Sequence, residues 1–185
     1  MNNKPQWLYW TEAFSDEECD TIIELAQELE SQDATTFGGS GTDGRKTRIR
    51  WIHDIGEEFG QLHQKMREYC LEANKHWGVT LSNLPALQYT EYADVGHKYD
   101  WHHDINWSRD DGLHRKISIV VQLSDPEDYE GGDFSFRYIP QPDAEDMRKR
   151  GTVLVFLPYH YHMVSEITKG SRNSLVGWFE GPEWK

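Results

Sequence analysis

Two spacings of apolar residues divide the chain. Ile22, Leu25, Ala26 and Leu29 recur at steps of three or four, and Ser15 opens the run Ser-Asp-Glu-Glu ahead of them. That run is a capping box with Glu18 at its third position, so the pattern predicts a helix over about 15–31. The same spacing returns at Phe59, Leu62, Met66, Cys70, Ala73 and Trp77, a second amphipathic helix whose apolar stripe reads as core. From about residue 85 the period shortens to two. In KISIVVQLS (116–124), Ile117, Ile119, Val121 and Leu123 share one face, while Ser118, Gln122 and Ser124 share the other. DFSFRY, GTVLVFLP, YHMVSEIT and RNSLVGWF are further short strands punctuated by Gly, Pro and Asp. Helices first and short strands after predict an α+β, mainly β chain, a sandwich or jelly roll with helices packed on one side.

Length and composition sharpen this picture. A chain of 185 residues is expected to form one domain over 1–185, with helical support over about 1–80 and a strand-rich core over about 85–181. The longest apolar run, VLVFL at 153–157, is too short to cross a bilayer, so no membrane association is expected. MNNKPQWLYW lacks the basic and apolar regions of a signal peptide, and two cysteines, Cys19 and Cys70, make no disulfide framework. A cytoplasmic protein, monomer or homodimer, is the expectation. The net charge of −13, from 32 acidic and 19 basic residues, argues against nucleic acid as a partner.

Two local features compete for attention between the helices. Arg45, Lys46, Arg48 and Arg50 form a basic cluster, read as a solvated strand edge ahead of a substrate-facing patch. Gly39 to Gly44 has the spacing of a phosphate loop, but Arg45-Lys46 replaces its Lys-Ser/Thr, and a β-like segment follows where a helix is required. The loop over 32–46, rich in glycine at Gly38–Gly44, reads instead as a lid over a substrate or as a surface loop.

The densest chemistry lies in YDWHHDINW, residues 99–107. In a strand, residues two apart share a face, so His102 and Asp104 can hold one ion together while His103 points away. A second histidine-rich strand, PYHYHMV at 158–164, offers His160 and His162. Two histidines and one carboxylate make the set that holds Fe(II) on one face and leaves positions open. Arg172 follows His162 by ten residues (172 minus 162), enough for a strand to run out, turn at Lys169-Gly170 and return. It stands in an otherwise apolar strand with Leu175, Val176, Trp178 and Phe179, where an unpaired charge is costly. A guanidinium there suits a dicarboxylate, which its planar fork can pair. Trp101 and Trp107 flank the candidate ligands as groove-lining or core aromatics.

Taken together, residues 45–180 resemble the 2-oxoglutarate- and Fe(II)-dependent dioxygenases, most nearly the compact prolyl 4-hydroxylase-like branch. The resemblance is carried by Tyr92, Gly96, Tyr99, His102 and Asp104, then by Gly131-Gly132 after a strand. It is completed by His162, Val164, Arg172, Ser174, Leu175 and Trp178 in order. It implies a double-stranded β-helix core with N-terminal supporting helices. It further implies His102, Asp104 and His162 as iron ligands, with His162 preferred to His160 by its interval to Arg172. Arg172 would bind the far carboxylate of 2-oxoglutarate, with Ser174 beside it. Tyr92 is the first choice for a supporting hydroxyl, with Tyr89 and Tyr99 as competitors. Collagen-type members usually carry lysine at the position of Arg172, so arginine-bearing relatives are the nearer comparison.

The implied reaction hydroxylates a C–H bond, foremost that of a prolyl residue in a protein or peptide. The implied cosubstrates are Fe(II)-bound 2-oxoglutarate and O2, the products include succinate and CO2, and ascorbate is a candidate reductant. Another side chain or a free small molecule is the alternative substrate. A non-catalytic peptide- or sugar-binding jelly roll with a vestigial metal site is the alternative class.

Overall fold

A computed structural model describes residues 4–34 and 45–185. In chain order its strands are β1 (Trp7–Trp10), β2 (Gln32–Asp33), β3 (Arg45–Lys46), β4 (Arg48–His53), β5 (Ala86–Tyr92), β6 (Lys98–His102) and β7 (Leu113–Gln122). They continue as β8 (Tyr129–Gly131), β9 (Phe134–Phe136), β10 (Val153–Phe156), β11 (His162–Val164), β12 (Ile167–Gly170) and β13 (Arg172–Pro182). The helices are α1 (Asp16–Gln27), α2 (Glu57–Trp77) and the short α3 (Ala144–Arg148). Among the described residues the strands form a major antiparallel sheet, ordered β1-β10-β7-β13-β5-β4-β2, and a minor sheet ordered β3-β6-β11-β9. A two-stranded ribbon, β12-β8, stands beside them. The mainly-β jelly roll expected from the alternating pattern is the observed architecture.

The period-two strands explain the layering. Ile117, Ile119, Val121 and Leu123 of the β7 segment join Val153 and Val155 of β10 and Leu175 and Phe179 of β13 on one face of the major sheet. There they pack against Cys19, Ile22 and Ala26 of α1 and Leu62, Met66, Cys70, Ala73 and Trp77 of α2. Leu154 and Phe156 alternate to the other face and meet Phe136 of the minor sheet. Burial of this many aliphatic side chains, at roughly 25 cal/mol per Å² of apolar surface, is the main force holding the helices to the sheet.

Local signals behave as expected with two differences. The capping box at Ser15 forms: the Glu18 N–H donates to Ser15 Oγ (3.2 Å), and the Ser15 N–H donates to Glu18 Oε2 (2.7 Å). The first helix nevertheless ends at Gln27, short of about 31, because Leu29 N–H turns back to Ala26 O (3.0 Å) and Gln32-Asp33 leaves to pair with β4. β1 was invisible to the pattern. Trp-Leu-Tyr-Trp is apolar at every position, and its four residues are all half-buried, so no alternation marks it. The proposed lid segment Gly38–Asp43 and the phosphate-loop-like Gly39–Gly44 lie outside the described residues.

Candidate metal centre

The two sheets enclose the histidine-aspartate constellation. His102 ends β6 and His162 begins β11, and the two residues are paired directly across the antiparallel ladder. The register then shifts between His162 and Val164, a bulge of the kind that re-aims side chains beside functional sites. Asp104 follows β6, its N–H donating to Pro158 O (2.8 Å), which ties it to the segment leading into β11. Asp104 Oδ1 lies 3.6 Å from His102 Nε2, and Oδ2 lies 3.7 Å from His162 Nε2. One donor atom from each of the three residues falls within 4.8 Å of the others.

Hydrogen bonds fix which nitrogen each imidazole presents. A carbonyl oxygen only accepts, so His102 Nδ1–H donates to Asp100 O (2.8 Å) and His162 Nδ1–H to His160 O (2.9 Å). Both Nε2 lone pairs therefore face Asp104, the arrangement that orients histidine for a metal. Burial, reinforced by His162, pushes His102 down to about 3, against the pull of Asp104. Burial alone would raise Asp104, but His162, His102, Arg115 and the Ser118 hydroxyl outweigh it and hold the carboxyl at about 2. Ser118 Oγ donates to Asp104 Oδ2 at 2.6 Å. Near neutral pH His102 is thus a neutral imidazole beside an ionised Asp104 carboxylate, donors of the kind a divalent ion requires.

The neighbouring histidines separate cleanly. The ring of His103 packs edge-on against Tyr161 (5.2 Å) and Trp107 (6.4 Å), away from the cluster. His160 supplies its carbonyl to His162, and its ring lies edge-on to Tyr159 and Phe136. Trp101 and Trp107 are both exposed rather than core.

Arg172 opens β13 inside the same cavity, 4% exposed. Its guanidinium lies 5.3 Å from the centre of the Tyr92 ring. Among the described residues its Nε and Nη1 have no hydrogen-bond partner. A buried cation with unpaired N–H groups is a costly arrangement that an anionic ligand relieves. Gly132 makes room for it: its φ is +64°, and an added Cβ would lie 3.0 Å from Arg172 Cδ and 2.6 Å from Ile167 Cδ1. Ser174 and Tyr99 also line the cavity, together with Gln88 and Thr90.

Two expectations need correction. Tyr89 is fully buried in the helix-facing core with Leu87 and does not line the cavity, because alternation along β5 sends Gln88, Thr90 and Tyr92 to the opposite face. Arg45 is not part of a solvated edge. It is 8% exposed and lines the cavity beside His102, whereas Lys46 and Arg48 are exposed as expected.

Sequence reasoning also missed Arg115, whose guanidinium lies 3.6 Å from the Trp178 ring centre and donates to Asp104 O (3.4 Å). It lies just ahead of the alternating run 116–124, in the polar stretch His114-Arg115-Lys116, where one more charge carries no signal. The metal-facing cavity is narrow, about 40 Å³, and an outer cavity of about 200 Å³ shares Arg45, Gln88, Tyr99 and Trp178 with it. A wider cleft of about 440 Å³ between α1 and α2 is rimmed by Glu17, Glu18 and Glu58 and lies outside this constellation.

Residues 87–180, just over half of the chain, match the model of the 2OG-Fe(II) oxygenase superfamily, and the protein belongs to that family. A PKHD-type hydroxylase of Synechococcus sp. strain CC9902 is 34% identical over 88 residues, 48% of this chain and 38% of that relative. Another, from Synechococcus sp. strain CC9311, is 24% identical over 172 residues, 88% of this chain and 72% of the relative. The chain therefore spans well under half of the first relative and most of the second. Among solved structures, a Pseudomonas putida prolyl-4-hydroxylase superposes with a TM-score of 0.74 at 20% identity, covering 96% of this chain and 94% of the other. The viral collagen prolyl hydroxylase of Paramecium Bursaria Chlorella virus-1, solved as a 2OG complex, gives 0.72 at 20% identity over 96% and 97%. These likenesses establish the fold, and family membership implies Fe(II), 2-oxoglutarate and O2 as cofactor and cosubstrates. No helix among the described residues is long and apolar enough to cross a membrane.

Proposed function

We propose that this protein is an Fe(II)- and 2-oxoglutarate-dependent hydroxylase of a C–H bond, acting foremost on a prolyl residue in a protein or peptide and releasing succinate and CO2. The observation that carries the reading is Arg172: a buried guanidinium with unpaired N–H groups, in the same cavity as a two-histidine, one-carboxylate cluster. Prolyl hydroxylases among the structural neighbours, one of them from Trichoplax adhaerens in complex with a peptide fragment, support the substrate class.

In this reading His102, Asp104 and His162 would hold the iron, offering the two Nε2 atoms and a carboxylate oxygen. Arg172 would take the distal carboxylate of 2-oxoglutarate, with the Tyr92 hydroxyl supporting that carboxylate and Ser174 beside it. When bound, iron with its cosubstrates supplies oxidising power that no side chain provides. The protein supplies position and dryness: Phe134, Val120, Val164 and Val176 line the cavity and limit the water that reaches it. Ser118 orients Asp104 and adds to the effect of His162, His102 and Arg115 in keeping it ionised.

The test is anaerobic addition of Fe(II) and 2-oxoglutarate to the purified protein. A visible charge-transfer band is expected, lost in Asp104→Ala and requiring far more 2-oxoglutarate in Arg172→Ala. Folded, iron-loaded protein without a band would favour a non-catalytic binding module. With the band established, mass spectrometry of proline-containing peptides for a gain of one oxygen tests the substrate.

A further inference from the structure

The cavity contains a three-layer stack that the metal reading does not use. The Tyr99 ring lies parallel to the His102 imidazole, centroids 3.5 Å apart with 12° between the planes. The Arg45 guanidinium also lies over the Tyr99 ring, 4.2 Å from its centre. The guanidinium is anchored in turn: Nε donates to Thr47 Oγ1 (3.0 Å) and Nη2 to Gln88 Oε1 (2.8 Å). Thr90 Oγ1 donates to the same Gln88 oxygen (3.3 Å).

These contacts join parts of the fold that are otherwise separate. Arg45 belongs to β3 at the edge of the minor sheet and pairs there with Tyr99 of β6. Gln88 belongs to β5 in the major sheet, and Thr47 is where the chain crosses from β3 to β4. Arg45 therefore ties the two sheets together at the metal cavity and presses Tyr99 onto a candidate ligand. It also stands on the wall shared by the metal-facing and outer cavities.

We infer that Arg45 is a positioning residue for the metal centre, acting through Tyr99 to fix the plane of the His102 ring. The inference rests on the proposed role of His102 as a ligand. The Nδ1–H bond of His102 to Asp100 O restrains the ring at one atom only and leaves it free to swing about that contact. A flat aromatic surface along one side removes this freedom, and a guanidinium held by two hydrogen bonds keeps that surface in place. A lysine has no planar fork to satisfy Thr47 and Gln88 together, so the arrangement selects arginine.

Co(II) is the test metal, since its ligand-field absorption reports the geometry of its donors and its affinity is measurable by titration calorimetry without turnover. Arg45→Met and Tyr99→Leu are each expected to weaken Co(II) binding about tenfold, the usual scale for partners that orient a metal ligand, and to alter the absorption spectrum in the same way. The double variant should bind nearly as well as the weaker single one, because both act through one ring. Arg45→Lys should fall between wild type and Arg45→Met, and it carries the test if Arg45→Met does not fold. Wild-type affinity and spectrum in these variants, or losses that multiply in the double variant, would overturn the inference. Asp104→Ala separates it from the reading beneath: if that variant loses Co(II) while the Arg45 variants keep it, only the clamp fails. If wild type does not bind Co(II), or Asp104→Ala binds it equally, the metal reading falls and the clamp with it.

Discussion

His102 and His162 stand directly opposite each other on β6 and β11, their ring centroids 4.2 Å apart, with Asp104 between their Nε2 atoms. An antiparallel pair of short strands thus brings together ligands from two distant parts of the chain. That pairing places the three donor groups next to one another within the folded chain.

Ser118 should prove necessary for strong metal binding. Its hydroxyl donates to Asp104 Oδ2 at 2.6 Å and favours the ionised carboxylate. Ser118→Ala is expected to weaken Fe(II) or Co(II) binding about tenfold, with little change in the melting temperature of the metal-free protein. Calorimetric titration beside a thermal melt checks both parts.

Arg172 should separate ligand binding from stability. Removing it is expected to cost about 2–3 kcal/mol of 2-oxoglutarate binding, the worth of hydrogen bonds to a charged group, or roughly 30- to 150-fold in affinity. Metal affinity should change far less. Because the ligand-free protein buries an incompletely paired cation there, Arg172→Met should leave its melting temperature unchanged or raise it. A large fall in melting temperature would contradict this account of Arg172.

Gly132 should control the same arginine through direct contact. With φ at +64° and Arg172 Cδ within 3.0 Å of an added Cβ, Gly132→Ala must strain the backbone and displace the Arg172 and Ile167 side chains. The expected result is weaker 2-oxoglutarate binding at nearly unchanged Co(II) affinity, read from two titrations of one sample. Equal loss of both would point to a general collapse of the cavity.

His63 should make the fold acid-sensitive. It is fully buried on α2, its Nδ1–H donates to Phe59 O (2.8 Å), its Nε2 has no partner among the described residues, and burial lowers its pKa. Below the unfolded value of about 6.5 the unfolded chain takes up a proton that the folded chain does not. Stability is therefore full above that pH and falls as pH drops toward the folded value. His63→Leu should flatten the decline in melting temperature between pH 7 and pH 5 relative to wild type. An unchanged slope would assign the acid sensitivity to other groups.

The sequence by itself determined whatever depends on short-range periodicity and on residue type. The capping box at Ser15, the stripe from Phe59 to Trp77 and the alternation from Ile117 to Leu123 each follow from the geometry of one turn or one pleat, and each is present. His102 and Asp104 were legible as a pair because two positions in a strand share a face. Tertiary structure decided what depends on which strands become neighbours. β1 carries no alternation and is defined by its pairing with β10. Tyr92 is the first choice and Tyr89 a competitor in the sequence, and only the major sheet, with a helix-facing side and a cavity-facing side, sends one to each. Arg45 reads as one more charge in a basic run, and only the crossing of the chain from the minor to the major sheet buries it against Tyr99. The pattern of apolar residues encodes which face of a strand is buried, but the contacts a buried polar side chain makes there depend on strands whose pairing no local signal records.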